Sequence, residues 1–314
     1  MRSRWLVVLA VVALAASGCE RAAPVASGEG FIDVPGGPVW YRVVGAGRHT
    51  PLLLVHGGPG GDSCVMSALG ELGGERPVVF YDQLGSGRSR RPTDLSLFRL
   101  DRFVEELDTV RRRLGLTRVH LLGHSWGGAL VLEYVLRKGT AGVESLVLAG
   151  PLVSTRDWVA DADVLRRALP PEVQAALLRH EAAGTTTSAE YLDARAEYYA
   201  RYLYHHPKPP IPACTGRGWN QVVYELMWGA TELTCTGTLR DFDVTARLAE
   251  IHVPVLLMVG EFDELRAETA RRYARLLPRA QVAVIEDAGH MSMVDQPEKV
   301  KAVVRGFLAE VEGP

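Results

Sequence analysis

The chain reads as an α/β fold, a mostly parallel, doubly wound sheet with a helical cap inserted late in its run. Three observations predict this. Short apolar runs alternate with segments of helical spacing. The alternation breaks once, between about residues 152 and 249. One apolar run, Val119-His120-Leu121-Leu122, leads directly into the turn Gly123-His124-Ser125-Trp126-Gly127, after which helix-forming residues follow.

Each element has its own signal. Phe31 to Val34 and Val39 to Val44 flank Pro35-Gly36-Gly37-Pro38, which predicts a β-hairpin. Pro51 to Val55 and Val78 to Tyr81 are continuous apolar runs, as expected of strands covered on both faces. Val104 to Leu114 has helical spacing, and Ala129 to Val135 continues the helix after Ser125. Val143 to Ala149, Val253 to Val259 and Gln281 to Ile285 complete the strands, with helices near 267–277 and 297–312. Inside the break lie amphipathic pieces at 164–178 and 189–204, a tyrosine cluster at 198, 199, 202 and 204, and the proline-rich 205–212. The expected domains are therefore a core of 31–151 and 250–314 and a cap of 152–249.

With 314 residues, 47% hydrophobic and 23% charged, the chain can bury a large core. Its 35 basic and 37 acidic residues leave a net charge of −2, which gives no case for nucleic acid or an anionic membrane surface. Arg2 and Arg4 precede a short apolar stretch, Trp5 to Ala16, and then Ser17-Gly18-Cys19. That pattern predicts an export signal over 1–19 and a small, polar tether over 20–30. Its ending resembles a bacterial lipobox, which implies lipidation at Cys19 and anchoring to the bacterial envelope. Cleavage after Gly18 without lipidation is the alternative. Of the other cysteines, spacing allows Cys214 and Cys235 to pair, leaving Cys64 free; the alternative is that all three are reduced. No cysteine or histidine spacing suggests a metal, and no cofactor is expected.

A serine hydroxyl needs a base within hydrogen-bond reach, and the base needs an orienting carboxylate. On a sheet with this turn the expected chain order is Ser, acid, His. Asp263 stands just past the strand ending at Val259, and His290 follows the strand ending at Ile285. Ser125, Asp263 and His290 are thus the expected catalytic residues, with Glu261 the rival acid. The oxyanion of the intermediate needs N–H donors. The Trp126 amide is one candidate. The glycine-rich His56-Gly57-Gly58-Pro59-Gly60-Gly61 supplies the other, at Gly58 with Gly57 as rival. That loop has no Gly-Lys-Ser/Thr ending, which argues against a phosphate cradle.

Three segments resemble the proline iminopeptidase family of α/β-hydrolases, which are serine aminopeptidases. They are His56-Gly57-Gly58-Pro59-Gly60, Tyr81-Asp82-Gln83-Leu84-Gly85-Ser86-Gly87-Arg88-Ser89 and Gly123-His124-Ser125-Trp126-Gly127-Gly128. The second is the most specific, and the resemblance runs from about residue 31 to 312. It implies an α/β-hydrolase fold and selection of substrates by their free N-terminal amine, through carboxylates near the active site. Glu232, in Trp228-Gly229-Ala230-Thr231-Glu232, and Glu264 match those acids. Relatives often have Asn-Gly-Pro-Asn where Trp228-Gly229-Ala230-Thr231 stands here, so the pocket differs in shape. Trp219, Tyr224 and Trp228 either wall a pocket for the first side chain or belong to the cap's core.

The expected activity is release of an N-terminal proline or other small apolar residue from short peptides or amides. A carboxylesterase or lactonase with the same triad is the nearest rival. A non-catalytic ligand-binding protein is the rival of another class. Epoxide hydrolases and dehalogenases place Asp where Ser125 stands.

Overall fold

The computed structural model describes residues 25–206 and 218–313. Eight strands form one sheet: β1 (Gly28–Val34), β2 (Gly37–Val44), β3 (Leu52–Val55), β4 (Val78–Tyr81), β5 (Val119–His124), β6 (Val143–Ala149), β7 (Val255–Gly260) and β8 (Ala280–Ile285). Their order across the sheet is β1-β2-β4-β3-β5-β6-β7-β8. β1 and β2 pair antiparallel, as do β2 and β4, and every later pairing is parallel. The helices are α1 (Leu100–Arg113), α2 (Trp126–Lys138), α3 (Thr155–Arg166), α4 (Pro171–Ala183), α5 (Ala189–Tyr202), α6 (Gln221–Met227), α7 (Ala267–Ala274), α8 (Ser292–Asp295) and α9 (Pro297–Glu312). A run of 3-10 turns spans Ser63–Gly74.

The period-2 geometry of strands sorts side chains into two layers. Leu53 and Val55 of β3 and Leu121 of β5 join one apolar cluster, with Phe103 and Leu107 of α1, Leu130 of α2 and Tyr273 of α7. Leu52, Leu54 and Leu122 face the other way, onto Met66 and Leu69 of the 3-10 run and Val304 and Phe307 of α9. Both faces are covered, which is why these strands are continuous apolar runs rather than alternating ones. The helices between β6 and β7 have a third cluster of their own, built on Leu177, Tyr191, Tyr198 and Leu233.

Two local expectations change. The piece read as one helix over 164–178 is the end of α3 and the start of α4. Pro170 and Pro171 cause the break, since proline lacks the N–H a helix interior requires and suits its first turn instead. β1 begins at Gly28, inside the segment read as a tether, because its residues pair with β2 from Gly28↔Val43 onward. The cysteines also differ from expectation. Cys235 is a free thiol, so it does not pair with Cys214. Cys64 is disulfide-bonded rather than free. Sequence spacing measures loop length but not which thiols the fold brings together.

Candidate active site

The site begins at the turn between β5 and α2. Ser125 has φ 56° and ψ −121°, a strained conformation for a residue with a side chain. The crowding explains the flanking glycines. A Cβ on Gly127 would lie 2.0 Å from the Val55 carbonyl oxygen, and one on Gly123 would lie 2.4 Å from the Gly127 carbonyl oxygen. This close approach packs the start of α2 against the end of β3 and presents Ser125 at the carboxyl edge of the sheet.

Two further strand ends converge there. Asp263 follows β7 and is fixed by its own loop: Oδ2 accepts from the Gly260 amide at 3.0 Å and Oδ1 from the Leu265 amide at 3.0 Å. Oδ1 also lies 2.8 Å from His290 Nδ1. The bond assigns the proton to Nδ1 and leaves the Nε2 lone pair free. The His290 ring is packed between His124, at 4.7 Å centroid to centroid, and the edge of Trp158, at 5.3 Å. Burial by itself would lower the proton affinity of His290. The Asp263 carboxylate beside it, with help from Glu232, overcomes this and holds its pKa above the ordinary histidine value. Ser125 and His290 line the same cavity, and no hydrogen bond joins them among the described residues. Such contacts are often long before substrate binds. Glu261, the rival acid, is exposed, and its Oε2 accepts from the Asp287 amide at 2.9 Å.

Gln83 ties the loops together. Its side-chain amide donates to the His56 carbonyl at 2.8 Å, and its side-chain oxygen accepts from the Trp126 indole at 2.8 Å. The Gln83 backbone N–H donates to His56 Nε2 at 3.0 Å. The three segments of the resemblance are therefore in mutual contact. Asp82 secures the rest of its segment, accepting from the Ser63 amide, the Ser63 hydroxyl and the Arg88 amide. Gly57 runs against the nucleophile turn, since a Cβ there would lie 3.0 Å from Ser125 Cβ. Gly57, Gly58 and Ser125 line one cavity of about 470 Å³.

The acids come next. Glu232 lines that cavity, and its Oε1 accepts from Tyr224 Oη at 2.5 Å. Glu264 is fully buried, and neither of its carboxylate oxygens has a partner among the described residues. Burial above all, then the negative charges of Glu232 and Asp263, raises its pKa well above the ordinary glutamate value. Glu264 therefore holds a proton where an exposed glutamate would not.

Beside the large cavity is a small recess of about 10 Å³. Ser125, Leu152, Trp158 and Trp228 wall it, and Gly58 and Glu232 reach it. Of the aromatic residues offered as pocket walls or cap core, Trp228 lines this recess and Trp219 and Tyr224 line the larger cavity, while Tyr224 and Trp228 also belong to a buried apolar cluster. The sequence reading missed Trp158, which belongs to no motif. Its only signal is an apolar aromatic one turn after the helix-capping Ser154.

Comparison with known proteins fits this geometry. The alpha/beta hydrolase fold family matches residues 50–297. A proline iminopeptidase of Heyndrickxia coagulans is 40% identical over 286 residues, covering 90% of this chain and 99% of its own. The crystal structure of VinJ superposes with a TM-score of 0.83 at 33% identity, covering 92% of this chain and all of that one. That of proline iminopeptidase from Mycobacterium smegmatis gives 0.80 at 34% identity, covering 90% and 99%.

These relatives overturn the expectation of export. They are proline iminopeptidases matched over most of this chain, and nothing in that likeness shows an export signal, a lipid anchor at Cys19 or a place at the bacterial envelope. Residues 1–19, which suggested it, lie outside the described residues, and no helix among the described residues is long and apolar enough to cross a membrane. A basic start followed by a short apolar run is a pattern of composition alone, and the reading is withdrawn. Motifs, fold and relatives agree on the family, and the chain belongs to the proline iminopeptidase family of α/β-hydrolases.

Proposed function

We propose that the protein is a serine aminopeptidase that releases an N-terminal proline or other small apolar residue from short peptides or aminoacyl amides. Ser125 Oγ attacks the scissile carbonyl carbon, and its proton passes to His290 Nε2. Asp263 holds the imidazole in that tautomer and stabilises the imidazolium that forms. The Gly58 and Trp126 amides receive the oxyanion. The imidazolium then gives its proton to the leaving amine, the C–N bond breaks, and an acyl-Ser125 ester remains. Water, deprotonated by His290, attacks that ester and restores the enzyme.

The substrate's amine would lie between Glu232 and Glu264. The observation that carries the reading is the buried Glu264 carboxyl, both oxygens unpartnered, beside a second acid at the edge of the serine cavity. A buried, unpartnered polar group is costly. An arriving ammonium supplies its missing partner, with charge-assisted hydrogen bonds of roughly 1.5–3 kcal/mol each. The first side chain would pack at the mouth of the Trp158–Trp228 recess, which at about 10 Å³ is too small to hold a proline ring. Residues 152–249 would act as a cap that excludes long chains.

A panel of aminoacyl-arylamides, each with and without N-acetylation, tests this. Prolyl and alanyl arylamides should turn over and their acetylated forms should not. Equal turnover of both forms, with faster cleavage of simple acyl esters, would establish an esterase instead.

A further inference from the structure

Arg195 is the single arginine or lysine among the described residues lining the large cavity. It lies on α5 and is half-buried. Its guanidinium carbon lies over the Tyr199 ring, one turn along, 5.3 Å from the centroid. No hydrogen bond or ion pair occupies its N–H groups among the described residues. The neighbouring acids are engaged elsewhere: Glu190 pairs with Arg179 and Glu197 with Arg201. Asp193, two residues away, is exposed on another face of the helix. Many of the other described arginines pair with a carboxylate, as Arg76, Arg102 and Arg166 do, and this one lines the cavity without one.

The cavity also has the opposite charge close by. Tyr199 Oη accepts from the Glu232 amide at 3.4 Å, so the ring beneath Arg195 abuts the proposed amine site. Arg195 is one of the charges that hold down the Glu232 carboxyl's proton affinity, which burial chiefly raises. A ligand with an ammonium at one end and a carboxylate at the other matches this arrangement. Tyr199 touches both Arg195 and the Glu232 backbone, and each residue of a peptide spans at most about 3.3–3.6 Å, so the matching peptide is short.

We infer that Arg195 binds the C-terminal carboxylate of the substrate, and that the preferred substrates are peptides of two or three residues with a free C-terminus. The inference rests on the aminopeptidase reading above and names its substrate class. Arg195 is a specificity residue in this scheme and takes no part in bond breaking.

The test compares kcat/KM for the dipeptide Pro-Gly with that for prolyl-glycinamide, which differs only in lacking the terminal charge. Wild-type protein should prefer Pro-Gly by about tenfold or more. In Arg195→Gln the ratio should fall to about one, and in Arg195→Lys it should lie between. Absolute rates do not enter the ratio, so partial damage to the fold leaves the result readable. No wild-type preference, or a ratio unchanged in Arg195→Gln, overturns the assignment. Wild-type turnover of prolyl arylamide separates the two readings. If the arylamide is cleaved and the ratio fails, the carboxylate site alone is wrong. If the arylamide is untouched, the aminopeptidase reading falls and this one with it.

Discussion

His290 and Glu264 both depart from their ordinary proton affinities, in ways that can be read from outside. The proposed base works only when His290 is neutral. The Asp263 carboxylate, acting against the larger effect of burial, holds its pKa above the usual value. The acid limb of kcat/KM against pH should therefore have its midpoint above about 6.5, the unperturbed histidine value. In Asp263→Asn the burial effect is no longer opposed by that charge. The midpoint should move to lower pH while kcat/KM falls on the order of 10⁴-fold, from a mis-set tautomer. A limb that stays in place in the variant would separate Asp263 from His290 in function. Glu264 tells the same story in stability. Its folded pKa is raised and its unfolded pKa is ordinary. Between the two the folded chain holds a proton the unfolded chain has lost, so stability falls as pH rises through that window. Gln has no such proton. Glu264→Gln should raise Tm relative to wild type more at pH 8 than at pH 4, and should raise KM for prolyl arylamide about tenfold by removing one of the amine's two carboxyl partners. A Tm difference independent of pH would mean that Glu264 is ionised in the folded protein.

At the scale of elements the site depends on braces between strand ends, and Gln83 is the central one. Gln83→Leu keeps the volume and removes both side-chain bonds, leaving the buried His56 carbonyl and Trp126 indole N–H unpaired. Each orphaned group costs roughly 1–3 kcal/mol, which a lowered denaturant midpoint would register. The loop carrying Gly58 and the turn carrying Trp126 would also lose their common support, so kcat should drop about tenfold or more. This level explains what the sequence could and could not reveal. The strands were legible because burial on both faces demands uninterrupted apolar runs, and β4, β6 and α9 have the expected bounds. Ser125, Asp263 and His290 could be picked out because each follows a strand and the turn at Ser125 needs its glycines. Trp158 and Arg195 could not, because their importance comes from which helix of the insertion covers the sheet edge, and helical periodicity does not encode that. The free thiol of Cys235 was hidden for the same reason. The small recess was invisible too, since its walls come from β6's end, α3 and the segment after α6, which meet only in the folded chain.

On the scale of the whole molecule, the helices between β6 and β7 are joined to the loop that carries His290, the proposed base. The His290 amide donates to the Tyr202 carbonyl at 2.7 Å, and the Met291 amide to the Leu203 carbonyl at 2.9 Å. Asp295 completes the joint: its Oδ2 accepts from the His205 amide at 2.9 Å and from the Gly289 amide at 2.8 Å, one from each side. The contact is close, since a Cβ on Gly289 would lie 2.9 Å from the Tyr202 carbonyl oxygen. One end of α5 thus sets the position of His290, while its middle supplies Arg195 and Tyr199 to the substrate cavity. Movement of this helix would shift the base and the substrate walls together. Asp295→Ala removes the shared acceptor and should uncouple them. The two amides lose a charged acceptor, at a cost of roughly 1–3 kcal/mol for each that stays buried and unpaired. Asp263 still holds the His290 ring, so the imidazole should keep its tautomer and the acid limb of kcat/KM should stay where it is in wild type. What should change is kcat, falling about tenfold as His290 spends less time in line with Ser125. Hydrogen exchange should rise together at the Gly289–Met291 amides and at the C-terminal turn of α5. Faster exchange at one of these without the other would show that the joint transmits nothing, and that insertion and base are positioned independently.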